Sequence, residues 1–129
     1  MKKPMPEVTA SLEDYLEAIY FLNGENGDVR VTDLAVKLEI SKPSVNRAIN
    51  TLKGQGYVDH EHYGCLRLTD EGLKIARNIA GRHVMLKRFL MEIIEVPEET
   101  AESEACAIEH DFSADTMKKI EAYMKKVLK

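Results

Sequence analysis

SKPSVNRAINTLKGQG, residues 41–56, decides how this 129-residue chain is read. Ser41 is a good helix N-cap, and Pro43 stands in the first helical turn, where a missing N–H does no harm. Val45, Ala48, Ile49 and Leu52 recur at helical spacing and predict a buried stripe. Gly54-Gln55-Gly56 stops the helix. The segment carries Lys42, Arg47 and Lys53 and no acidic residue, so its exposed face is suited to anions.

The flanks of this helix give it a context. Upstream, Thr32 caps a shorter helix through about Leu38, joined to Ser41 by the tight connection Glu39-Ile40, and Val29-Arg30-Val31 is a short strand candidate. Further back, Ser11 as N-cap with Asp14 at N3 opens a helix over about 12–23 carrying Leu12, Leu16, Ile19 and Tyr20. Gly24-Glu25-Asn26-Gly27 ends it, and residues 1–10 read as a loose arm. Downstream, Tyr57–Glu61 and Cys65–Leu68 around His62-Tyr63-Gly64 read as a β-hairpin. Two short helices, a tight turn and a hairpin are the order of a winged helix-turn-helix, whose second helix enters the DNA major groove. The partner expected is therefore double-stranded DNA. Arg47 suits guanine, Asn46 adenine, and Pro43 a thymine methyl, with Lys42 and Ser44 on the same turns. Thr32, at a helix N-terminus, is suited to a phosphate, and Lys53, at the far end of the helix, to the backbone. Any surface helix carries residues of these types, and the net charge of −4 argues against nucleic acid. Helix order, hairpin and the local lack of acid outweigh both objections.

The second half carries different chemistry. Thr69-Asp70-Glu71 opens a long helix whose apolar stripe is Ala76, Ile79, Leu86, Leu90 and Ile93, widened by Leu73, Ala80, Phe89 and Ile94. His83 falls in line between Ile79 and Leu86, where a lone histidine is more often a satisfied core residue than a ligand. Pro97 begins another helix through His110. Ser113 caps a last one, with Met117, Ile120, Met124 and Val127 as its stripe. Residues 97–112 hold Glu98, Glu99, Glu102, Glu104, Glu109 and Asp111 with no Lys or Arg, a segment suited to cations. Within it lies Cys106-Ala107-Ile108-Glu109-His110, a C-x-x-E-H box. Helical spacing puts its sulfur, carboxylate and imidazole on one face, a mixture fit for a borderline divalent transition metal. A fourth donor is sought in Asp14 and Glu17, spaced i,i+3, and in His83. Each has an ordinary reading: Asp14 as a cap, Glu17 as a solvated helix residue, Cys106 as a small buried hydrophobe. Their coincidence favours a cation, because such a cluster is electrostatically costly without one. Cys65 reads as structural, and His60 and His62 as residues of the wing.

Composition bounds the rest. Hydrophobic residues make up 44% and charged residues 31%, with no Trp, which describes globular helices packed by aliphatic side chains. The length suits one domain or two small ones. No apolar run approaches the ~20 residues of a membrane span, and Met1-Lys2-Lys3-Pro4 lacks the apolar region of a secretory signal. Two distant cysteines fit a reducing cytosol, so a cytoplasmic location without a membrane partner is expected.

SLEDYLEAIY, SKPSVNRAINTL, YVDHEHYGCLRLTDEG, GRHVMLKRFL and EACAIEHDFS together make the chain similar, from Ser11 to about Ser113, to the diphtheria toxin repressor family, which includes the iron-responsive DtxR and manganese-responsive MntR branches. The resemblance implies a mainly α fold with a small β-hairpin wing. Residues 1–70 would form a winged helix-turn-helix DNA-binding domain and residues 71–129 a helical metal-binding and dimerisation domain. It further implies a homodimer that binds palindromic operators when loaded with Mn(II) or Fe(II) and represses uptake genes. No enzymatic activity and no small-molecule substrate are expected. By motif, Asp14 and Glu17 match the manganese branch, Cys106 the iron branch, and His83, Glu109 and His110 both. Lys87 stands where both branches carry a carboxylate of the second metal site, and Glu102 is the residue placed to compensate. The SH3-like third domain of the iron branch is not expected. The rival readings are a winged-helix sensor of an organic ligand or oxidant acting through Cys106, and a metallohydrolase.

Overall fold

The computed structural model describes residues 10–26, 28–60 and 64–128. Residues 1–9 of the arm expected over 1–10, the helix stop at Gly27 and the wing residues Glu61, His62 and Tyr63 lie outside the described residues. The chain divides into two units between Arg77 and Asn78.

In the first unit, α1 (Ala10–Asn26), β1 (Val29–Arg30), α2 (Val31–Leu38), α3 (Lys42–Gly54), β2 (Val58–His60) and β3 (Cys65–Leu68) follow one another. α1 is longer than expected at both ends. Ser11 lies inside it and is not its cap, and Asp14 falls beyond the first turn. α2 also starts early. Its N-cap is Arg30, not Thr32, and Asp33 supplies the capping carboxylate, accepting from the Arg30 backbone N–H at 2.9 Å. The strand candidate accordingly loses Val31 to the helix. α2 closes on Glu39 in the left-handed conformation (φ 57°), and the Ile40 N–H returns to Ala35 O at 3.0 Å. That short return is the tight turn between the two helices.

α3 matches its expectation closely. The Ser44 N–H donates to Ser41 Oγ at 3.3 Å, a cap of ordinary strength, worth ~1 kcal/mol. Val45, Ile49 and Leu52 are buried, with Ala48 packed beside them. The wing is more than a hairpin. β3 pairs antiparallel with both β2 and β1, in the order β1-β3-β2, with Val29 opposite Leu66 and Val58 opposite Leu68. The core gathers Tyr15, Leu16 and Ile19 of α1 with Val29, Leu34, Val45, Ile49, Leu52, Val58, Leu66 and Ala76.

α4 (Asp70–Glu92) follows the wing. Thr69 opens it twice over: Oγ1 accepts from the Gly72 N–H at 3.1 Å and donates to Gly56 O at 2.6 Å. A Cβ on Gly72 would overlap the Tyr57 carbonyl oxygen, so only glycine lets the helix start this close to the wing. The division between the units falls within α4.

The second unit continues with α5 (Glu98–Ile108) and α6 (Ala114–Val127). Leu86, Ala105 and Met117 are its buried cluster, with Met85, Leu90, Ile108, Phe112 and Ile120 packed against it. Ser113 caps α6, accepting from the Thr116 N–H at 3.1 Å. Two expectations fail at the edges of the stripes. Ile94 and Val127 are 53% and 43% exposed; each stands at or past the end of its helix, where the helical period no longer returns a side chain to the core.

Candidate metal centre and nucleic-acid interface

α5 ends at Ile108, two residues earlier than expected. Glu109 is its C-cap and His110 lies in the following turn. The Cys106 and Glu109 donor atoms still come within 4.8 Å of each other, as the helical spacing of the C-x-x-E-H box predicts, and His110 follows in the turn beyond the helix. Cys106 is exposed, Glu109 is fully buried and the His110 side chain is nearly so. The turn is held by Arg82 of α4. Its Nη1 donates to Glu109 O at 3.0 Å and Phe112 O at 2.6 Å, and its Nε donates to Asn78 Oδ1 at 3.2 Å. A side chain of α4 thereby satisfies the carbonyl of the α5 C-cap and one carbonyl of the turn that follows it.

An imidazole stands at each Glu109 oxygen: His83 Nδ1 is 2.9 Å from Oε1 and His110 Nε2 is 3.5 Å from Oε2. The other His83 nitrogen, Nε2, is 3.0 Å from Glu102 Oε2. His83 so lies between two carboxylates, on the apolar stripe of α4 but not as a bland core residue. Glu102 turns its second oxygen to Lys87 Nζ at 3.1 Å, and Glu98 Oε2 is 3.4 Å from the same ammonium. The hydrogen bonds from His83 and then Lys87 hold the Glu102 carboxyl below its ordinary value. The bond to Glu102 in turn holds the Lys87 ammonium above the ordinary lysine value.

The donor set fits a divalent transition ion. A fully buried carboxylate between two imidazoles is the oxygen-and-nitrogen chemistry that Mn(II), Fe(II) and Zn(II) take, and a buried carboxylate is costly unless a cation or strong donors meet it. Asp14 and Glu17 lie on α1 of the first unit, Asp14 half-buried and Glu17 buried. The Glu17 burial contradicts the solvated reading of that residue. Of the residues around Glu109, the sequence reading did not single out Arg82; its only sign was its place just before His83.

On α3 and its N-cap Ser41, the exposed residues are Ser41, Lys42, Pro43, Asn46, Arg47, Asn50, Thr51, Lys53 and Gly54, with Ser44 half-buried. Lys42, Pro43, Asn46 and Arg47 therefore share the solvent side as expected. The Arg47 guanidinium is positioned from within the helix: Nη2 donates to Ser44 Oγ at 3.1 Å, and Ser41 Oγ donates to Ser44 Oγ at 3.0 Å. Thr32 is exposed as the second residue of α2. Asn50 and Arg67, which the sequence did not single out, are exposed as well. Asn50 is one turn on from Asn46 and Arg47, and the alternation of exposure along β3 turns Arg67 outward between Leu66 and Leu68.

Two family profiles together span most of the chain. Residues 7–66 match the iron dependent repressor N-terminal DNA binding domain, and residues 69–129 match the iron dependent repressor metal binding and dimerisation domain. Among relatives, an HTH-type transcriptional regulator of Methanocaldococcus jannaschii is 36% identical over 120 residues, covering 92% of this chain and 96% of that protein. The HTH-type transcriptional regulator MntR of Bacillus subtilis is 38% identical over 112 residues, covering 87% and 78%. Among solved structures, a manganese-dependent transcriptional repressor in complex with manganese superposes with a TM-score of 0.82 at 30% identity, over 88% of this chain and 52% of that one. IdeR of T. acidophilum gives 0.79 at 26% identity, over 94% and 56%. The chain spans about half the length of these solved relatives.

Proposed function

This chain belongs to the iron-dependent repressor family, the metal-dependent DNA-binding repressors of manganese or iron homeostasis, and from that premise we propose that it is a cytoplasmic homodimer that binds operator DNA when it holds Mn(II) or Fe(II). The observation that carries the reading is the buried Glu109 carboxylate with His83 and His110 at its oxygens, within the segment that matches the metal-binding domain. Residues 1–70 serve as the winged helix-turn-helix domain and residues 71–129 as the metal-binding and dimerisation domain. The proposed ligands are Asp14, Glu17, His83, Cys106, Glu109 and His110. The proposed DNA contacts are Thr32, Lys42, Pro43, Ser44, Asn46, Arg47 and Lys53. Among the described residues no helix is long and apolar enough to cross a membrane, and regulators of this kind act by binding rather than turnover.

When bound, the divalent ion neutralises the carboxylates and fixes donors drawn from separate segments of the chain. The protein's own part is to hold those donors ready. Arg82 clamps the turn that carries Glu109 and His110. Ser41 and Ser44 aim the Arg47 guanidinium. In a dimer the two α3 helices then address half-sites about one helical turn, ~34–36 Å, apart. An ion shifts the population toward the DNA-binding state only by its preference for that state.

The test starts from random-sequence DNA selected with Mn(II)-loaded protein. The recovered duplex should be palindromic. It should be bound in the presence of Mn(II) or Fe(II) and released by a chelator at fixed salt. Binding that ignores the chelator would overturn the metal reading and leave Cys106 as the candidate sensor.

A further inference from the structure

Asp14, Tyr15, Leu16 and Glu17 make one turn of α1. Asp14 and Glu17 belong to the proposed ligand set. Tyr15, between them, is 4% exposed and joins the core that α1 forms with Val45 and Ile49 of α3. Those two residues flank Arg47, which leaves the same helix on the solvent side. Ser44 Oγ holds the Arg47 guanidinium from within α3, 3.1 Å from Nη2. The phenol of Tyr15 is its neighbour from α1. Burial raises the Tyr15 hydroxyl above the ordinary tyrosine value, and the Arg47 charge, near enough to be felt there, works against that rise.

We propose, resting on the functional reading above, that Tyr15 is a positioning residue: it carries the state of the Asp14 and Glu17 carboxylates to the Arg47 guanidinium and so ties the specificity of DNA binding to metal. The three α1 residues share one helical turn, so an ion that draws on the two carboxylates displaces the phenol with them. A densely packed core has few voids into which such a shift can be absorbed. The movement therefore reaches Val45, Ile49 and the Arg47 between them. An arginine that reads a base is sensitive to small errors of placement, because its rigid fork must meet two acceptors at once. Without an ion, Arg47 still offers its charge to any phosphate. With one, its fork is held where it can meet a base edge. Tyr15 thus governs which sequence is preferred and how strongly metal matters, not how much charge the protein presents.

The experiment compares wild type, Tyr15→Phe, Arg47→Ala, the double variant of these two and the control Ile49→Val, each checked for folding by circular dichroism. Mn(II) binding to the free protein is measured by calorimetry. Binding to the selected operator and to a random duplex is measured with and without Mn(II) over a series of salt concentrations. Tyr15→Phe should take up Mn(II) as tightly as wild type, because it removes no ligand. The factor by which Mn(II) tightens operator binding should fall at least about fivefold, the lower end of ordinary coupling between two sites. Affinity for the random duplex and its salt slope should stay as in wild type, since no phosphate contact is lost. Ile49→Val trims one buried methyl group from the same core and should leave the factor unchanged. Arg47→Ala should lower the factor as far as Tyr15→Phe does, and the double variant should lower it no further. A folded Tyr15→Phe with the wild-type factor would overturn the proposal, as would a loss shared equally by the random duplex or repeated in full on top of Arg47→Ala. An Arg47→Ala that keeps the whole factor would overturn it too, and that variant decides the matter if Tyr15→Phe does not fold. A wild type whose operator binding ignores Mn(II) would overturn the functional reading, and this proposal with it.

Discussion

Cys106 and Glu109 are one turn apart, yet one is exposed and the other has no exposure at all. The sulfur is thus the accessible member of the proposed ligand set, and its softness bears on which ion is preferred. Thiolate favours Fe(II), Co(II) and Zn(II), whereas carboxylate favours Mn(II). Cys106→Glu should therefore lower the Mn(II) concentration for half-maximal operator binding relative to that of Co(II). Co(II)-loaded wild type should show an intense near-ultraviolet sulfur charge-transfer band that the variant lacks. If the band is missing from wild type and the preference stays put, Cys106 is structural. On α3 a similar separation of roles holds. Arg47 lies in the first half of the helix, steadied by Ser44, and Lys53 lies at its end. Arg47→Ala should cost about 1–3 kcal/mol on the preferred operator and relax its specificity. Lys53→Ala should weaken all sequences alike and lower the salt slope by about one unit. A salt titration giving the reverse would refute this orientation of α3.

Helix ends, more than helix bodies, shape the site at the next scale. α5 stops at Ile108, and the Arg82 guanidinium takes up the carbonyls of Glu109 and Phe112 just beyond it. The turn so formed brings His110 to the buried Glu109. A fixed supporting residue of this kind typically changes metal affinity by about 10–100-fold when removed. Arg82→Ala should weaken Mn(II) binding by that order while the protein remains helical, and Arg82→Lys should recover only part of the loss, since one ammonium replaces a fork that reaches Glu109, Phe112 and Asn78. Calorimetric titration with Mn(II) decides it, and an unchanged affinity in the alanine variant would remove Arg82 from the site. The same lesson applies at α2, where Asp33 and not Thr32 satisfies the Arg30 N–H. Periodicity located that helix, but two residues compete for its first turn, and only the folded backbone shows which of them caps it.

Over the whole molecule, an acidic chain with net charge −4 is proposed to bind a polyanion, which requires that the cationic side chains of α3 be concentrated by pairing two copies. The second unit exposes Val84, Ile94 and Tyr123 at 61%, 53% and 50%. Single exposed apolar side chains are ordinary on a surface; what ties these to a contact is the family profile that covers their segment, one of metal binding and dimerisation. Wild type should sediment as a dimer at micromolar concentration. The double variant Val84→Asp with Tyr123→Asp should shift to monomer and lose most of its operator affinity, because each half-site then binds alone. A variant that stays dimeric would place the contact elsewhere on the second unit.

By itself the sequence determined the helices, the caps at Ser41 and Ser113, the buried stripe of α3 and the identity of the acidic and basic segments. These depend on neighbours within a turn or two, and local chemistry specifies them. The family resemblance, carried by motifs at fixed spacing, was legible for the same reason. Tertiary structure alone decided that the short Val29–Arg30 run pairs with β3 to make a three-stranded sheet, since strand pairing depends on segments far apart in the chain. It alone decided that Glu109 is buried between two histidines, that Arg82 closes the turn, and that Lys87 reaches Glu98 and Glu102. Each of these contacts joins residues from different helices, and the spacing within one helix carries no information about which side chain of the next one it will meet.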